Sequence, residues 1–374
     1  MNRQSAKGIP FNDLKRRAVC ERESLLAAAT RVINSGWFVL GPEVKAFETE
    51  FASYIGVPHC TGVGNGSDAL SLALSALDVR AGDEVATCAN AAMYSTLAIQ
   101  SLQAKPVFVD VLDSHTMSAA LFADAVKASA GRLKVVMVTH LYGQVADIEE
   151  IVTIARSNGV FVVEDCAQAH GATRHGKRAG AFGDIGTFSF YPTKNLGGLG
   201  DGGAVVCRDH RLHERLQSLR QYGWSTKYSV SVTGGRNSRL DEIEAAFLRV
   251  RLPMLDECNR RRRAIASRYI AGIRHADVRT PPAAADDYVA HLFVVMANNR
   301  DALREHLSRH GITTEIHYPI CDHKQPAMVS MQQTVALPMS ERLSSEVLSL
   351  PCFPELTDSE VDAVIATVNA WQSR

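Results

Sequence analysis

Three things are missing from this sequence, and each absence closes a class of function. There is no excess charge of either sign, since 40 Lys plus Arg face 40 Asp plus Glu over 374 residues. That argues against a nucleic-acid or membrane-surface role resting on bulk charge and leaves room only for a local basic pocket. No run approaches the ~18 apolar residues of a membrane span, and residues 1–15 are polar, without the apolar core of a signal peptide. The eight cysteines include no Cys-x-x-Cys pair, so neither a zinc site nor a disulfide framework is suggested. Cys88, Cys166 and Cys207 lie in or beside strand-like runs and read as packed thiols in a reducing compartment. A soluble cytoplasmic protein, without metal, nucleic acid or membrane as partner, is expected.

What is present is a hydrophobic fraction of 46% and enough length for a large core with a second, smaller lobe. Helical patterns at 21–35 and 43–55 flank the turn-rich apolar stretch Gly36-Trp37-Phe38-Val39-Leu40-Gly41-Pro42. From 84 to 170, β-branched runs at 84–88, 107–110, 135–140 and 160–164 alternate with helical runs near 94–103, 118–129 and 147–157. Two more strands, 187–190 and 204–207, and a helix at 241–251 follow. Such alternation predicts an α/β fold with a mostly parallel sheet sandwiched by helices, filling 1–250. Residues 251–374 read as a smaller α+β domain: strand 288–296, helix 301–310, strand 312–317, and a last helix opened by the capping box Thr357-Asp358-Ser359-Glu360. The basic run 260–263 reads as a solvated helix face.

Three stretches carry the chemistry. In Ser189-Phe190-Tyr191-Pro192-Thr193-Lys194-Asn195, followed by Leu196-Gly197-Gly198-Leu199-Gly200-Asp201-Gly202-Gly203, one lysine stands inside a turn rich in glycine. A lysine in water is protonated at neutral pH, because its amine titrates only at pH ~10.4. Crowding by backbone and apolar neighbours favours the neutral amine, the form able to make a Schiff base. Upstream, Val160-Phe161-Val162-Val163-Glu164-Asp165 is a buried strand ending in acid, at the edge where open α/β sheets bind ligands. Gly62-Val63-Gly64-Asn65-Gly66-Ser67-Asp68 is a strand turning into a helix, with Ser67 as the expected N-cap and free N–H groups that suit an anion.

Together these stretches resemble the DegT/DnrJ/EryC1/StrS sugar aminotransferases, a branch of the pyridoxal phosphate (PLP) enzymes of fold type I. The resemblance rests on Glu164-Asp165-Cys166-Ala167-Gln168-Ala169-His170-Gly171-Ala172, on Phe188-Ser189-Phe190-Tyr191-Pro192-Thr193-Lys194-Asn195, and on Gly200-Asp201-Gly202-Gly203-Ala204. It runs from Gly36-Trp37 to Leu350-Pro351, almost the whole chain. A later His317-Tyr318-Pro319 with His323-Lys324-Gln325-Pro326 is similar to the subset acting on nucleotide-linked 3-keto-6-deoxyhexoses.

The resemblance implies pyridoxal 5'-phosphate held covalently by Lys194, with Asp165 keeping the pyridine nitrogen protonated, and these two as the catalytic pair. It implies Gly66, Ser67 and Ser189 on the phosphate, Gln168 on the ring hydroxyl, and Asn237 of the motif Asn237-Ser238-Arg239-Leu240-Asp241-Glu242 reaching the partner subunit's phosphate. Hence a homodimer with shared active sites is expected. Asp241 and Glu242 also suit the start of the helix that follows. Trp37 and Phe38 either pack as core or lie near the active site and dimer contact. Tyr191, Tyr222, His317, Tyr318 and His323 are the expected substrate contacts, with the histidines equally open to structural roles. Where many relatives carry Thr-Phe or Thr-Trp over the ring, this chain has Ala91-Ala92. Either Tyr94 covers the ring in a shifted register or the stack is missing. Relatives that dehydrate keto sugars have histidine at the lysine position, so Lys194 points to amino transfer, from glutamate to a nucleotide-linked keto sugar. A 4-keto sugar or keto-cyclitol acceptor, or a non-catalytic regulatory homologue, are the alternatives.

Overall fold

The computed structural model describes residues 8–282, 284–331 and 335–373. The chain opens with α1 (Leu14–Ser35) and α2 (Pro42–Ile55), and then alternates. In order come β1 (His59–Val63), α3 (Gly66–Ala76), β2 (Glu84–Thr87), α4 (Tyr94–Ser101), β3 (Lys105–Phe108), α5 (Ala119–Ser129), β4 (Leu133–Thr139), α6 (Ile148–Ser157) and β5 (Phe161–Asp165). A short hairpin, β6 (Thr173–Arg174) with β7 (Lys177–Arg178), precedes β8 (Ile185–Ser189), β9 (Gly203–Cys207) and α7 (His210–Leu219). A second hairpin, β10 (Trp224–Thr226) with β11 (Ser229–Val230), leads into α8 (Glu242–Arg251).

Seven strands form one sheet in the order β1-β9-β8-β5-β4-β2-β3. Only β9 runs against its neighbours, pairing antiparallel with both β1 and β8. The β-branched strands are buried on both faces. One face packs under Phe47, Phe51 and Phe122 of α2 and α5, the other under Leu70, Leu72, Leu74 and Ile99 of α3 and α4. The strands expected from 84 to 207 are present, with ends moved by one or two residues.

After α8 come α9 (Leu255–Gly272), β12 (Val278–Arg279), β13 (Phe293–Ala297), α10 (Arg300–Arg309), α11 (Pro338–Glu346), β14 (Val347–Leu350) and α12 (Asp358–Asn369). The order β12-β13-β14 makes a small antiparallel sheet over its own core around Tyr269, Phe293 and Phe353. The capping box at Thr357 and Glu360 forms.

Three expectations need correction. The strand expected over 288–296 begins only at Phe293. The residues before it cross to the turn that follows β4, where the Val289 N–H donates to Gly143 O at 3.0 Å. No strand forms at 312–317. Its backbone is engaged by the N-terminal arm, with Ile9 N–H on Gly311 O at 2.8 Å and Thr313 N–H on Ile9 O at 2.9 Å, and by Ser349, which pairs with Glu315. In the run 260–263, Arg262 is buried rather than solvated, donating to Cys352 O at 2.5 Å and His291 O at 3.3 Å.

Among the described residues no helix is long and apolar enough to cross a membrane. All eight cysteines are free.

Candidate active site

The parallel strands end at one edge, and the ligand edge of such a sheet lies there. Asp165 is the last residue of β5 and Ser189 of β8, while α3 starts three residues after β1. A cavity of about 600 Å³ opens among them, walled by Asn65, Gly66, Ser67, Asp165, Ser189, Tyr191 and Lys194 on the sheet side. The facing wall is made by Phe11, Asn12, His291, Glu315, His317 and Tyr318.

Pro192 ends the run of β8, and the Lys194 N–H closes a turn on Tyr191 O at 2.8 Å. The glycines that follow are held rather than loose. Gly198 N–H donates back to Phe190 O at 2.7 Å, Glu244 takes the Leu199 N–H at 2.8 Å, and Arg251 donates to Gly198 O at 2.9 Å. A Cβ on Gly198 would lie 2.2 Å from Glu244 Oε2, so that close approach requires glycine. Burial of the Lys194 amine lowers its pKa to about 8, and only the charge of Asp165 pulls it back up. The imidazoles around it do not compete for protons. Burial takes His170 to about 3, His317 to about 4 and His291 well below the usual range, each helped by the Lys194 charge.

Asp165 is buried, and that burial raises its pKa. The Ala167 N–H donates to its Oδ1 at 3.1 Å and Thr139 Oγ1 lies 3.5 Å from Oδ2. These partners and Lys194 act against the desolvation. Such a carboxylate is set up to receive a cationic N–H.

The start of α3 is capped by Asn65, not by Ser67 as expected: Asn65 Oδ1 takes the Asp68 N–H at 2.8 Å. That leaves the N–H groups of Gly66 and Ser67 free of partners among the described residues, beside the cavity. A Cβ on Gly66 would stand 2.6 Å from Ser189 Cβ, so only glycine lets the helix start reach the serine.

Gln168 stands behind the lining. Its Oε1 accepts the Tyr142 N–H at 2.7 Å, which turns Nε2 toward Tyr318 Oη at 3.1 Å. Tyr142 Oη in turn donates to His317 O. Tyr94, the first residue of α4, lines the cavity and is half-exposed. The helix start beneath it is fixed by buried Asp322, which takes the Met93 N–H at 2.9 Å and the Thr96 hydroxyl at 2.6 Å.

Of the expected site residues, Gly66, Ser67, Tyr94, Asp165, Ser189, Tyr191, Lys194, His317 and Tyr318 line the cavity, and Gln168 contacts it through Tyr318. Three stand outside it. His323 is turned away, with Nε2 on Glu341 Oε1 at 3.0 Å. Tyr222 is exposed against Trp224, and Asn237 is exposed opposite Gln221. Trp37 and Phe38 are each 57% exposed, so they do not pack in this chain's core. Sequence reasoning missed Phe11, Asn12, His291 and Glu315. For Phe11, Asn12 and Glu315 no local pattern signals the cavity. A polar His291 inside the apolar run 288–296 was the one visible sign. His140, Glu164 and Cys166 lie within ligand reach of one another. Glu164 is already saturated there, by His140 Nε2 at 2.9 Å and by the N–H groups of Gly180, Phe182 and Gly183, so the group is a buried brace.

A lysine in a glycine turn and a strand-end aspartate share one cavity at the edge of a mostly parallel sheet, an arrangement that suits an aminotransferase of fold type I. The chain belongs to the DegT/DnrJ/EryC1/StrS aminotransferase family, whose profile matches residues 19–369. It is 44% identical over 365 residues to the dTDP-3-amino-3,6-dideoxy-alpha-D-galactopyranose transaminase of Aneurinibacillus thermoaerophilus, covering 97% of this chain and 99% of that one. Its fold is similar to the crystal structure of Streptomyces venezuelae DesV in complex with a ketimine intermediate, with TM-score 0.94 and 43% identity over 99% of this chain and 100% of that one. It is similar also to NtdA of Bacillus subtilis with bound cofactor PMP, with TM-score 0.90 and 28% identity over 98% and 86%.

Proposed function

We propose that the protein uses pyridoxal 5'-phosphate to move an amino group from glutamate to a nucleotide-linked keto sugar, a dTDP-3-keto-6-deoxyhexose, in amino-sugar biosynthesis. The observation that carries this reading is Lys194 and Asp165 in one cavity, with the free start of α3 beside them. The residues fit the cofactor. A helix start that glycine brings against Ser189 suits its phosphate, and a buried, under-compensated Asp165 suits a protonated ring nitrogen. Lys194 would hold it covalently through Nζ, Gln168 would face its hydroxyl, and Tyr94 would cover the ring. When bound, the cofactor supplies the electron sink for a carbon losing its proton.

The chain's own residues do the rest. Asp165 keeps the proton on the ring nitrogen. Lys194, with its pKa lowered to about 8, has a neutral Nζ fraction near neutral pH that takes a proton from one carbon and returns it to another. Tyr191, His317 and Tyr318 line the space for the sugar. The relative from A. thermoaerophilus, by its name a transaminase of a dTDP-linked 3-amino sugar, supports the choice of substrate.

The working unit in this reading is a homodimer in the cytoplasm. Among the described residues that line the cavity, Lys194 is the one cation, because its histidines are held neutral, whereas Asp165, Asp201 and Glu315 are acids. The start of α3 and Ser189 offer the cofactor phosphate hydrogen bonds, but positive charge to balance the phosphates of cofactor and nucleotide has to come from elsewhere. Exposed Trp37, Phe38, Tyr222 and Asn237 offer a second copy the contacts and the donors it would share.

Borohydride reduction and peptide mapping test the first claim: the pyridoxyl group is expected on Lys194, Lys194→Ala is expected to have no turnover, and a label on another lysine overturns the reading. Mixing Lys194→Ala with Asn237→Ala subunits tests the second. One site of each heterodimer receives both defects and the other neither, so up to about half of one dimer's activity returns. Confirmed subunit exchange without recovery excludes a shared site.

A further inference from the structure

Tyr94 opens α4 and lines the cavity, yet nothing in its own stretch of chain caps that helix. The N-cap position falls to Met93, whose side chain takes no hydrogen bond from the helix start, where Ser, Thr, Asp or Asn would. The approach to the helix is also strained. Ala92 and Met93 stand at φ 58° and 67°, two successive non-glycine residues in the left-handed region, where a Cβ crowds the carbonyl that follows. Such a path persists only where the surroundings hold it.

The missing cap comes from 229 residues along the chain. Asp322 Oδ1 takes the Met93 N–H at 2.9 Å, and Oδ2 takes the Thr96 hydroxyl at 2.6 Å. The carboxylate thus spans the first turn of α4, just before the Leu97 N–H closes on Met93 O at 2.7 Å. The Asp322 N–H donates to Ala89 O at 2.7 Å, so one residue grips the chain on both sides of the left-handed pair. Asp322 is buried, beside an apolar cluster of Ala89, Met93, Phe108, Cys321 and Met328. No ion pair reaches it among the described residues, since its neighbour His323 turns to Glu341. Burial raises its pKa to about 6, against the pull of the Thr96 and Met93 hydrogen bonds. A buried acid without a cation is costly unless its oxygens are satisfied, and here the start of α4 satisfies both. A negative charge also suits a helix N-terminus. Tyr318 of the facing wall stands four residues before Asp322, so one loop serves both sides of the cavity.

We propose that Asp322 is a positioning residue: it caps α4 from a distant loop and thereby holds Tyr94 at the cavity, in place to cover the cofactor ring. The proposal rests on the covering role given to Tyr94 above.

Asp322→Ala removes both contacts, whereas Asp322→Asn keeps them, with Oδ1 on the Met93 N–H and Nδ2 donating to the Thr96 hydroxyl. Hydrogen exchange read by mass spectrometry, on the full-length protein with and without cofactor, follows α4 directly. In Asp322→Ala the amides of 97–101 are expected to exchange about tenfold faster or more, with α3 and α5 at native rates, and in Asp322→Asn to stay within about threefold of native. The cofactor side is read by equilibrium dialysis of pyridoxamine 5'-phosphate, which binds without a bond to Lys194. Tyr94→Ala is expected to weaken it about fivefold, the scale of a lost ring contact, and Asp322→Ala by a similar factor. The double variant is expected to bind no more weakly than Tyr94→Ala alone. Native exchange of α4 in Asp322→Ala, acceleration spread equally over α3 and α5, or losses that multiply in the double variant each overturn the proposal. Should Asp322→Ala fail to fold, Thr96→Val removes one of the two contacts, and native exchange of α4 in that variant overturns it. Unchanged binding in Tyr94→Ala overturns the covering role in the proposed function instead, and the exchange rates still decide whether Asp322 holds α4.

Discussion

The wall that carries Lys194 and Asp165 is the carboxyl edge of a parallel sheet, whereas the wall facing it has almost no regular structure. On the first wall each side chain is aimed by the strand or helix that it ends or begins. Asp165 closes β5, Ser189 closes β8, and Gly66 opens α3. On the second, His291, Glu315, His317 and Tyr318 sit on chain held by contacts to distant segments, among them Arg262 on His291 O, Ser349 on Glu315, Tyr142 on His317 O and Gln168 on Tyr318. The difference suits the two tasks of the proposed function. Proton transfer tolerates little misplacement and belongs on rigid elements, while an irregular wall can be reshaped for a different acceptor without disturbing the sheet.

Substitutions on the two walls should therefore fail in different ways. After the loss of turnover in Lys194→Ala, the largest effect is expected at Asp165. Asp165→Ala would remove the charge that the proposed function sets beside the ring nitrogen, and the proton-transfer step is expected to slow by at least ~10²-fold, the scale of acid–base contributions. Near-normal single-turnover rates in that variant would show another group holding the proton. A smaller loss is expected at Gly66. Its new Cβ in Gly66→Ala would stand 2.6 Å from Ser189 Cβ, so the helix start must back away. Overpacking of this kind costs about 1–3 kcal/mol, which should weaken cofactor retention about tenfold or more, read by equilibrium dialysis. Unchanged retention would detach the phosphate from this helix start. The mildest change is expected across the cavity. His317→Ala is expected to raise KM for the sugar nucleotide by about tenfold while kcat stays within about threefold, the signature of lost ground-state binding. A kcat loss as deep as that of Asp165→Ala would erase the distinction between the walls.

The first wall was legible in the sequence because its residues lie a few positions from the strands that aim them. Asp165 could be read off a β-branched run and Lys194 off a glycine turn. Even there, local reasoning chose Ser67 as the cap of α3 where Asn65 serves, because two nearby polar residues compete for one position and the approach to Ser189 decides. The second wall was legible only in part, through His317 and Tyr318. His323 shares their stretch of sequence but turns to Glu341, since its neighbour Asp322 is drawn into the helix start under Tyr94.

By itself, then, the sequence determined the parallel sheet, the placing of Asp165 and Lys194 at its ligand edge, and the family, because each is written in residues close along the chain. Tertiary structure alone decided that Phe11 and Glu315 share a cavity, that Arg262 of a basic run is buried, and that His291 is buried against Asn195. Those facts depend on groups tens to hundreds of residues apart, whose burial leaves each donor a single acceptor to find.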